Sequence, residues 1–140
     1  MTIDLLIVAS PGGHLNVARE IFPNQKFSSR FVTNGLCGDS SDNVVQIRAF
    51  GRDARILLGF IDAFRIVKML KPKVIFSSGA GIAIPFFCVG KLFGCKLIYL
   101  ETASRTKSLS LTAIVVRRLC DRFYVRDALL ARKVKADFYG

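Results

Sequence analysis

The sequence predicts an α/β fold, a Rossmann-like parallel sheet with helices on both faces, and three features carry that prediction. Its strand-like segments are short apolar runs without alternation, as in "IDLLIVAS" (Ile3–Ser10), and such runs mark strands covered on both sides. Strand-like and helix-like segments alternate with short connections, the order that builds a parallel sheet. The strands run into small or glycine-rich turns that open into helices, which places binding loops at the carboxyl edge of the sheet. With 140 residues, 51% of them apolar, the chain suits a single domain over residues 1–140 with one core.

Taken in order, the first strand (Ile3–Ser10) runs into Pro11-Gly12-Gly13 and then a helix from His14 to about Phe22. "KFSSRFVT" reads as a second strand, Asn34 to Asn43 as a polar loop, and "VVQIRAF" as a short third strand. Ala54 to Leu70 has the strongest helical periodicity, and Lys71-Pro72 stops it, because proline cannot continue a helix. "KVIFSS" is a strand, followed by a Gly79-Ala80-Gly81 turn and an apolar helix to Phe93. Pro85 fits there in the first turn, and Gly94 closes the helix. "CKLIYLE" is a strand, Leu109 to Leu119 a helix and "RFYVR" a strand. The tail, Asp127 to Gly140, reads as a short basic helix and a last strand around Ala136–Tyr139.

The charge is lopsided: 21 Lys and Arg against 10 Asp and Glu, a net of +11. A chain both apolar and basic is expected to seek an anionic surface with apolar depth. Cys37, Cys88, Cys95 and Cys120 form no C-x-x-C pair and have no neighbouring histidine, so they read as reduced thiols of a cytosolic protein, without structural zinc or any other metal site. The amino terminus lacks the positive stretch of a signal peptide. No uninterrupted apolar run reaches the length of a spanning helix, so membrane contact is expected to be peripheral.

Three loops at strand ends carry the candidate chemistry. "ASPGGHL" pairs glycines with a helix start, so Gly12 and Gly13 allow close backbone approach while the helix N-terminus favours an anion. His14, the only histidine, is placed there to bind a phosphate or sugar hydroxyl, or to act as acid or base. "SSGAG" repeats the design, giving Ser78, Gly79 and Gly81 as substrate-binding candidates. In "ETASRTKS", Glu101 closes an apolar strand where a catalytic carboxylate would lie, and Arg105 suits bidentate contact with a diphosphate. For each loop a plain strand–helix turn, or a local Glu101–Arg105 ion pair, is the alternative.

The G-G-H turn, the S-S-G-A-G turn and "LIYLETASR" followed by an apolar helix together resemble one family. It comprises the bacterial PssD-type polysaccharide proteins and the eukaryotic Alg14 membrane subunit of a split N-acetylglucosaminyltransferase, and it is similar to the N-terminal half of MurG, a GT-B glycosyltransferase. The likeness runs from Ile3 to Gly140. It implies the acceptor-binding half of a two-component, UDP-sugar-dependent transferase that is inactive alone. A donor-binding subunit resembling the C-terminal half of such enzymes would hold the UDP-sugar, with no further cofactor. The acceptor would be a sugar on a polyprenyl phosphate or diphosphate at the cytoplasmic face of the membrane. By the same resemblance Gly12, Gly13, His14 and Gly79–Gly81 face the cleft, and Glu101 is a general base or acceptor contact. The transmembrane anchor of the eukaryotic members has no counterpart in this sequence, so anchoring is expected from the domain surface.

Helical periodicity points to that surface. Between Ala54 and Leu70, the residues Ile56, Leu57, Phe60, Ala63, Phe64, Ile66, Val67 and Leu70 form an arc expected to face the sheet. On the other side Leu58, Ile61 and Met69 lie among Arg55, Asp62, Arg65 and Lys68, the mixture of an interfacial helix. Packing against a partner protein or a neighbouring helix would use the same residues. "GIAIPFFCVGKLFG", with Lys91 its only charge, is either buried all round or partly membrane-facing. "LTAIVVRRLCDRF" adds Val115, Val116 and Leu119 beside Arg117, Arg118 and Arg122.

Two other functions are weighed. A free-standing nucleotide-binding module needs an acidic residue at the end of the second strand to hold a ribose, and Val32-Thr33-Asn34 has none. Nucleic-acid binding is suggested by charge alone, without a helix-turn-helix, zinc-finger or RNP-like signature, so no nucleic-acid partner is expected.

Overall fold

The computed structural model describes residues 2–10, 13–22, 28–34, 44–47, 56–79, 81–101, 111–126, 128–134 and 137–138, with the side chains of 13–15, 34, 46, 134, 137 and 138 set aside. The elements are β1 (Leu5–Val8), α1 (Gly13–Ile21), β2 (Ser29–Asn34), β3 (Val44–Ile47), α2 (Ile56–Leu70), β4 (Val74–Ser77), α3 (Ala83–Leu92), β5 (Lys96–Glu101), α4 (Leu111–Arg117), β6 (Arg122–Val125), α5 (Ala128–Val134) and β7 (Asp137–Phe138). The expected strands and helices are present, several with shorter ends. The last strand is the most reduced, a two-residue edge pairing of Asp137–Phe138 beside β6.

All strand pairs are parallel, in the order β3-β2-β1-β4-β5-β6-β7. The order reverses direction between β1 and β4. Because parallel crossovers are right-handed, helices on the two sides of that reversal take opposite faces. Alternate residues of the strands show it. Leu6, Val8, Ile75, Leu97, Tyr99, Phe123 and Val125 pack with Ala63 and Val67 of α2, Phe86 and Phe87 of α3, Val116 of α4 and Leu130 of α5. Leu5, Ile7, Phe76 and Leu100 point the other way and meet Ala18 of α1. One face therefore carries four helices and the other, among the described residues, one.

Close approach ties the four-helix layer to the sheet. A Cβ on Gly90 of α3 would lie 2.6 Å from Ile75 Cδ1 and 3.0 Å from Leu97 Cδ2. Tyr99 stacks on Phe123 (5.5 Å between centroids) and meets Phe87 edge-on. Pro85 falls in the first turn of α3, as its missing N–H requires. At the other end Gly94 (φ +76°) donates its N–H to Lys91 O at 3.2 Å, and Cys95 donates to Gly90 O at 2.9 Å, the paired bonds of a Schellman stop.

Two parts of the sequence reading are corrected. The buried stripe of α2 is Gly59, Ala63, Ile66, Val67 and Leu70, narrower than the apolar arc. Leu57 is 65% exposed and Phe64 is also exposed; both lie on a flank of the helix, and Phe64 meets the end of α3 through Phe93 (5.6 Å, edge-on). Val116 is in the core rather than on the surface beside Arg117 and Arg118. Cys95 is buried and Cys88 and Cys120 half-buried, all three as free thiols; Cys37 lies outside the described residues. Burial raises all three thiol pKa values, and Cys120, with Asp121 adding its charge, is pushed up to about 12.

Candidate functional site at the carboxyl edge of the sheet

The reversal between β1 and β4 creates a crevice, because the chain leaves these neighbouring strands toward opposite faces. Val8, Ser77 and Tyr99 are level in register, so β1, β4 and β5 deliver their following residues to one edge. Glu101 stands two residues beyond Tyr99, level with Val125 of β6. Helices α1 and α3 begin at this edge. Ile82, at the N-cap of α3, makes no side-chain capping bond, and the Ile84 N–H donates to Gly81 O at 3.2 Å.

The turn after β4 is shaped by its own side chain. Ser77 Oγ accepts the Gly79 N–H at 3.2 Å and donates to Gly79 O at 3.3 Å. This turn requires φ +130° at Gly79, a backbone conformation essentially restricted to glycine. Gly81 has open space where a Cβ would be, so the chain leaves room there for another molecule. Ser78 is fully buried, and its hydroxyl faces protein rather than solvent.

Polarity concentrates at this edge. The buried polar residues among those described are Thr33, Ser77, Ser78, Glu101 and Thr112. They lie at the carboxyl ends of β2, β4 and β5 and in the first turn of α4, whose start is at the same edge. Glu101 is 2% exposed, and its carbonyl accepts the Arg126 N–H at 3.3 Å. Thr33 Oγ1 is buried and has no hydrogen-bond partner among the described residues, an arrangement that is costly unless water or a ligand group meets it. Sequence reasoning missed Thr33 and Thr112; for Thr33, a hydroxyl near the end of an apolar strand was the available signal. The structure brings Gly13, Ser78, Gly79, Gly81 and Glu101 to this edge. The backbone of His14 lies in the first turn of α1, while its side chain, Gly12 and Arg105 lie outside the described residues. No three His, Cys, Asp or Glu side chains gather as metal ligands among the described residues.

The outer face of the four-helix layer is the second feature. Leu58, Ile61 and Met69 are 36%, 47% and 58% exposed, and Arg65 and Lys68 are exposed among them. Lys68 Nζ also sits 5.9 Å from the Phe64 ring centroid. Helix α3 resolves its two readings by length: it is largely buried from Ala83 to Gly90, and then Leu92 (83%) and Phe93 emerge beside Lys91. Leu111, Ile114 and Val115 of α4 are exposed, with Arg118 following. Arg117 is half-buried, its guanidinium 5.7 Å from the Phe123 ring centroid. No helix among the described residues is long and apolar enough to cross a membrane.

Comparison with known proteins agrees with this architecture. MurG of Acinetobacter baumannii superposes with a TM-score of 0.70 at 17% identity, over 87% of this chain and 41% of that one. The UDP-GlcNAc 2-epimerase of Methanocaldococcus jannaschii gives 0.72 at 10% identity, over 99% of this chain and 45% of that one. The described fold is thus one Rossmann-like lobe of the GT-B type. In sequence, the "UDP-N-acetylglucosamine transferase subunit ALG14" of Candida albicans is 33% identical over 86 residues, which is 55% of this chain and 39% of that protein. The subunit of the same name from Debaryomyces hansenii is 34% identical over 76 residues, 49% of this chain and 33% of that protein. The matched segments span less than half the length of these relatives. A family model described as "Oligosaccharide biosynthesis protein Alg14 like" matches residues 45–140, and the chain belongs to the Alg14 family of oligosaccharide biosynthesis proteins.

Proposed function

We propose that the chain is the acceptor-side, membrane-docking lobe of a two-part UDP-sugar-dependent glycosyltransferase, and that a separate polypeptide supplies the lobe that grips the donor. What supports this reading is the Alg14 family match, with relatives named as a transferase subunit, together with a Rossmann-like lobe whose carboxyl edge keeps buried polar groups and open space at Gly81. One such lobe cannot enclose a substrate or exclude water from it. The names of the related subunits make UDP-N-acetylglucosamine the first donor to test. The acceptor is a sugar on a polyprenyl phosphate or diphosphate carrier.

In this reading Gly12, Gly13, Ser78, Gly79 and Gly81 border the acceptor's phosphate site, the first-turn N–H groups of α1 and α3 are directed to it, and Arg105 is a charged partner. Glu101, or alternatively His14, takes the proton from the acceptor hydroxyl as that oxygen displaces UDP. Such proton transfer contributes about 10²–10⁴-fold. No further cofactor is required, and the donor is held mainly by the partner.

The exposed Leu58, Ile61 and Met69, with Arg65, Lys68, Arg117 and Arg118, support peripheral docking on the cytoplasmic leaflet. Each cation near an anionic surface contributes about 1 kcal/mol. The chain is expected to float with anionic vesicles at low salt and to be released from them by salt, and salt-resistant binding to neutral vesicles would contradict this. The function itself is tested by sugar transfer to a polyprenyl-linked acceptor. The chain alone should give none, and the chain mixed with its donor-lobe polypeptide should turn over; appreciable transfer by the isolated chain would overturn the two-part reading.

A further inference from the structure

Helix α3 packs between α2 and α4, and its outward stripe lies lower than theirs. Pro85, Phe86, Phe87, Val89 and Gly90 are buried, which leaves Ile84 and Cys88, a turn apart and half-buried, on the side turned from the sheet. The banks stand higher. Phe64 of α2 leans to the α3 side, against Phe93, and Leu57, two turns earlier, shares that flank; they are 46% and 65% exposed. On α4 the Arg117 guanidinium is turned toward Phe123 of β6. Val115, about 200° away around the helix, therefore takes the α3 flank, with Leu111 one turn before it, and both are exposed. A shallow apolar furrow runs along α3 between these banks.

Its two ends differ. Gly81 lies on the same stripe as Ile84 and Cys88 and opens the furrow at the carboxyl edge, with no atom within 4 Å of where a Cβ would be. From Gly81 to Cys88, about 10 Å of helix, the sequence carries no charge. At the amino edge Lys68, Lys91 and Arg118 are exposed around Leu92 and Phe93. The lining is thus uncharged beside the functional edge and cationic at the far end, where apolar side chains emerge.

We propose that this furrow seats the phosphate-proximal part of the acceptor's polyprenyl chain, which runs from the α3 start over Ile84 and Cys88 and enters the bilayer beside Leu92 and Phe93. This rests on the two-part reading and adds a site for the substrate's lipid, separate from the bilayer contact of Leu58, Ile61 and Met69. The occupant follows from the two ends. The carboxyl end is continuous with the edge assigned to the acceptor's phosphates, and a chain attached there has to leave across an exposed surface. An uncharged floor suits hydrocarbon, whereas a lipid headgroup or an acidic peptide would find cations only at the far end. There Lys68, Lys91 and Arg118 meet the phosphates of the surrounding lipids. An acceptor held in this way is selected by its chain as well as by its sugar.

The test uses the full chain with its donor-lobe polypeptide in vesicles, and an acceptor analogue carrying a diazirine on the isoprene next to the phosphate. Irradiation is expected to attach the probe to the α3 segment holding Ile84 and Cys88, or to the banks at Leu57 or Leu111. Cys88→Trp fills the floor, and it is expected to raise KM about tenfold more for the long-chain acceptor than for the same sugar phosphate on a short alkyl chain. The furrow assignment falls, with the two-part reading intact, if transfer proceeds while the adduct maps elsewhere in this chain, to the partner or to bilayer lipid alone, or if no adduct forms. It falls equally if folded Cys88→Trp leaves both KM values unchanged or shifts them together, the mark of altered bilayer docking. Should that variant not fold, the adduct on the parent chain decides. If the mixture glycosylates neither acceptor, the functional reading fails first and this inference with it.

Discussion

The two edges of the sheet are built by different rules. At the amino edge nearly every feature closes on itself. Asp4 is held by Ser28 and Lys73, and the Ile3 N–H donates to Leu70 O while the Lys73 N–H donates to Ile3 O. Asp121 Oδ2 accepts the Leu97 N–H at 2.8 Å, and the Gly94 stop ends α3. At the carboxyl edge buried hydroxyls and a carboxylate gather at strand ends, Thr33 Oγ1 has no partner among the described residues, and space is left beside Gly81. The difference teaches where to look for function. Buried polar groups are hard to accommodate, and their collection at one edge marks the side that meets another molecule.

The comparison is broken most directly at Glu101. Glu101→Gln keeps the shape and removes the charge, so the assembled transferase is expected to lose about 10²–10⁴-fold in rate with little change in melting temperature. A large loss of stability with little loss of rate would move Glu101 from chemistry to scaffold. Next come the glycines of the open edge. Gly79→Ala forces an alanine toward φ +130° and is expected to cost about 1–3 kcal/mol in urea unfolding. Gly81→Ala meets no atom within 4 Å and should stay within about 0.5 kcal/mol of the parent while reducing transfer by the complex.

At the closed edge the expected effects are smaller. Lys71 has φ +44° after α2, a left-handed conformation that disfavours a side chain by about 1–2 kcal/mol. Lys71→Gly should therefore raise the urea midpoint, corresponding to a gain of up to about 1 kcal/mol once the added freedom of the unfolded chain is counted. Asp4→Asn comes last. The Lys73 hydrogen bond lowers the Asp4 pKa below the usual carboxylate range. Its contribution is therefore present above the unfolded value and disappears as pH falls through the lowered folded one. Both side chains are exposed, so the contribution is small and screened by salt. Melting temperatures from pH 7 to pH 2 should show a slightly shallower acid limb in the variant, and at high salt the two curves should converge.

Much of this could be read from the sequence, because the signals were local. Apolar runs, a proline stop after Lys71 and glycine turns each act within a few residues, and they located the strands, α2, α3 and the strand ends that share the carboxyl edge. What depended on neighbours was less legible. The α2 wheel counted Leu57 and Phe64 as sheet-facing because an apolar arc does not reveal how wide the covering surface is. Val116 and Val115 look alike in sequence, yet one is in the core and the other on the surface. That one face carries four helices and the other, among the described residues, one, was invisible, since an apolar strand reads the same on either face. The His14 side chain, Gly12 and Arg105 lie outside the described residues and remain expectations.

The interior position of β1, beside β4, has a kinetic consequence. Its two neighbours are β2, close behind it in sequence, and β4, and the Asp4–Lys73 contact at their base joins residues 69 positions apart. From β5 onward each strand pairs with the one just before it, separated by a single helix. That half is assembled from near neighbours, whereas the β1–β4 seam has to close a long loop, and long-range closure slows folding. The seam that creates the crevice is thus expected to be a late join in folding. Hydrogen exchange during refolding should protect β5 and β6 before β1.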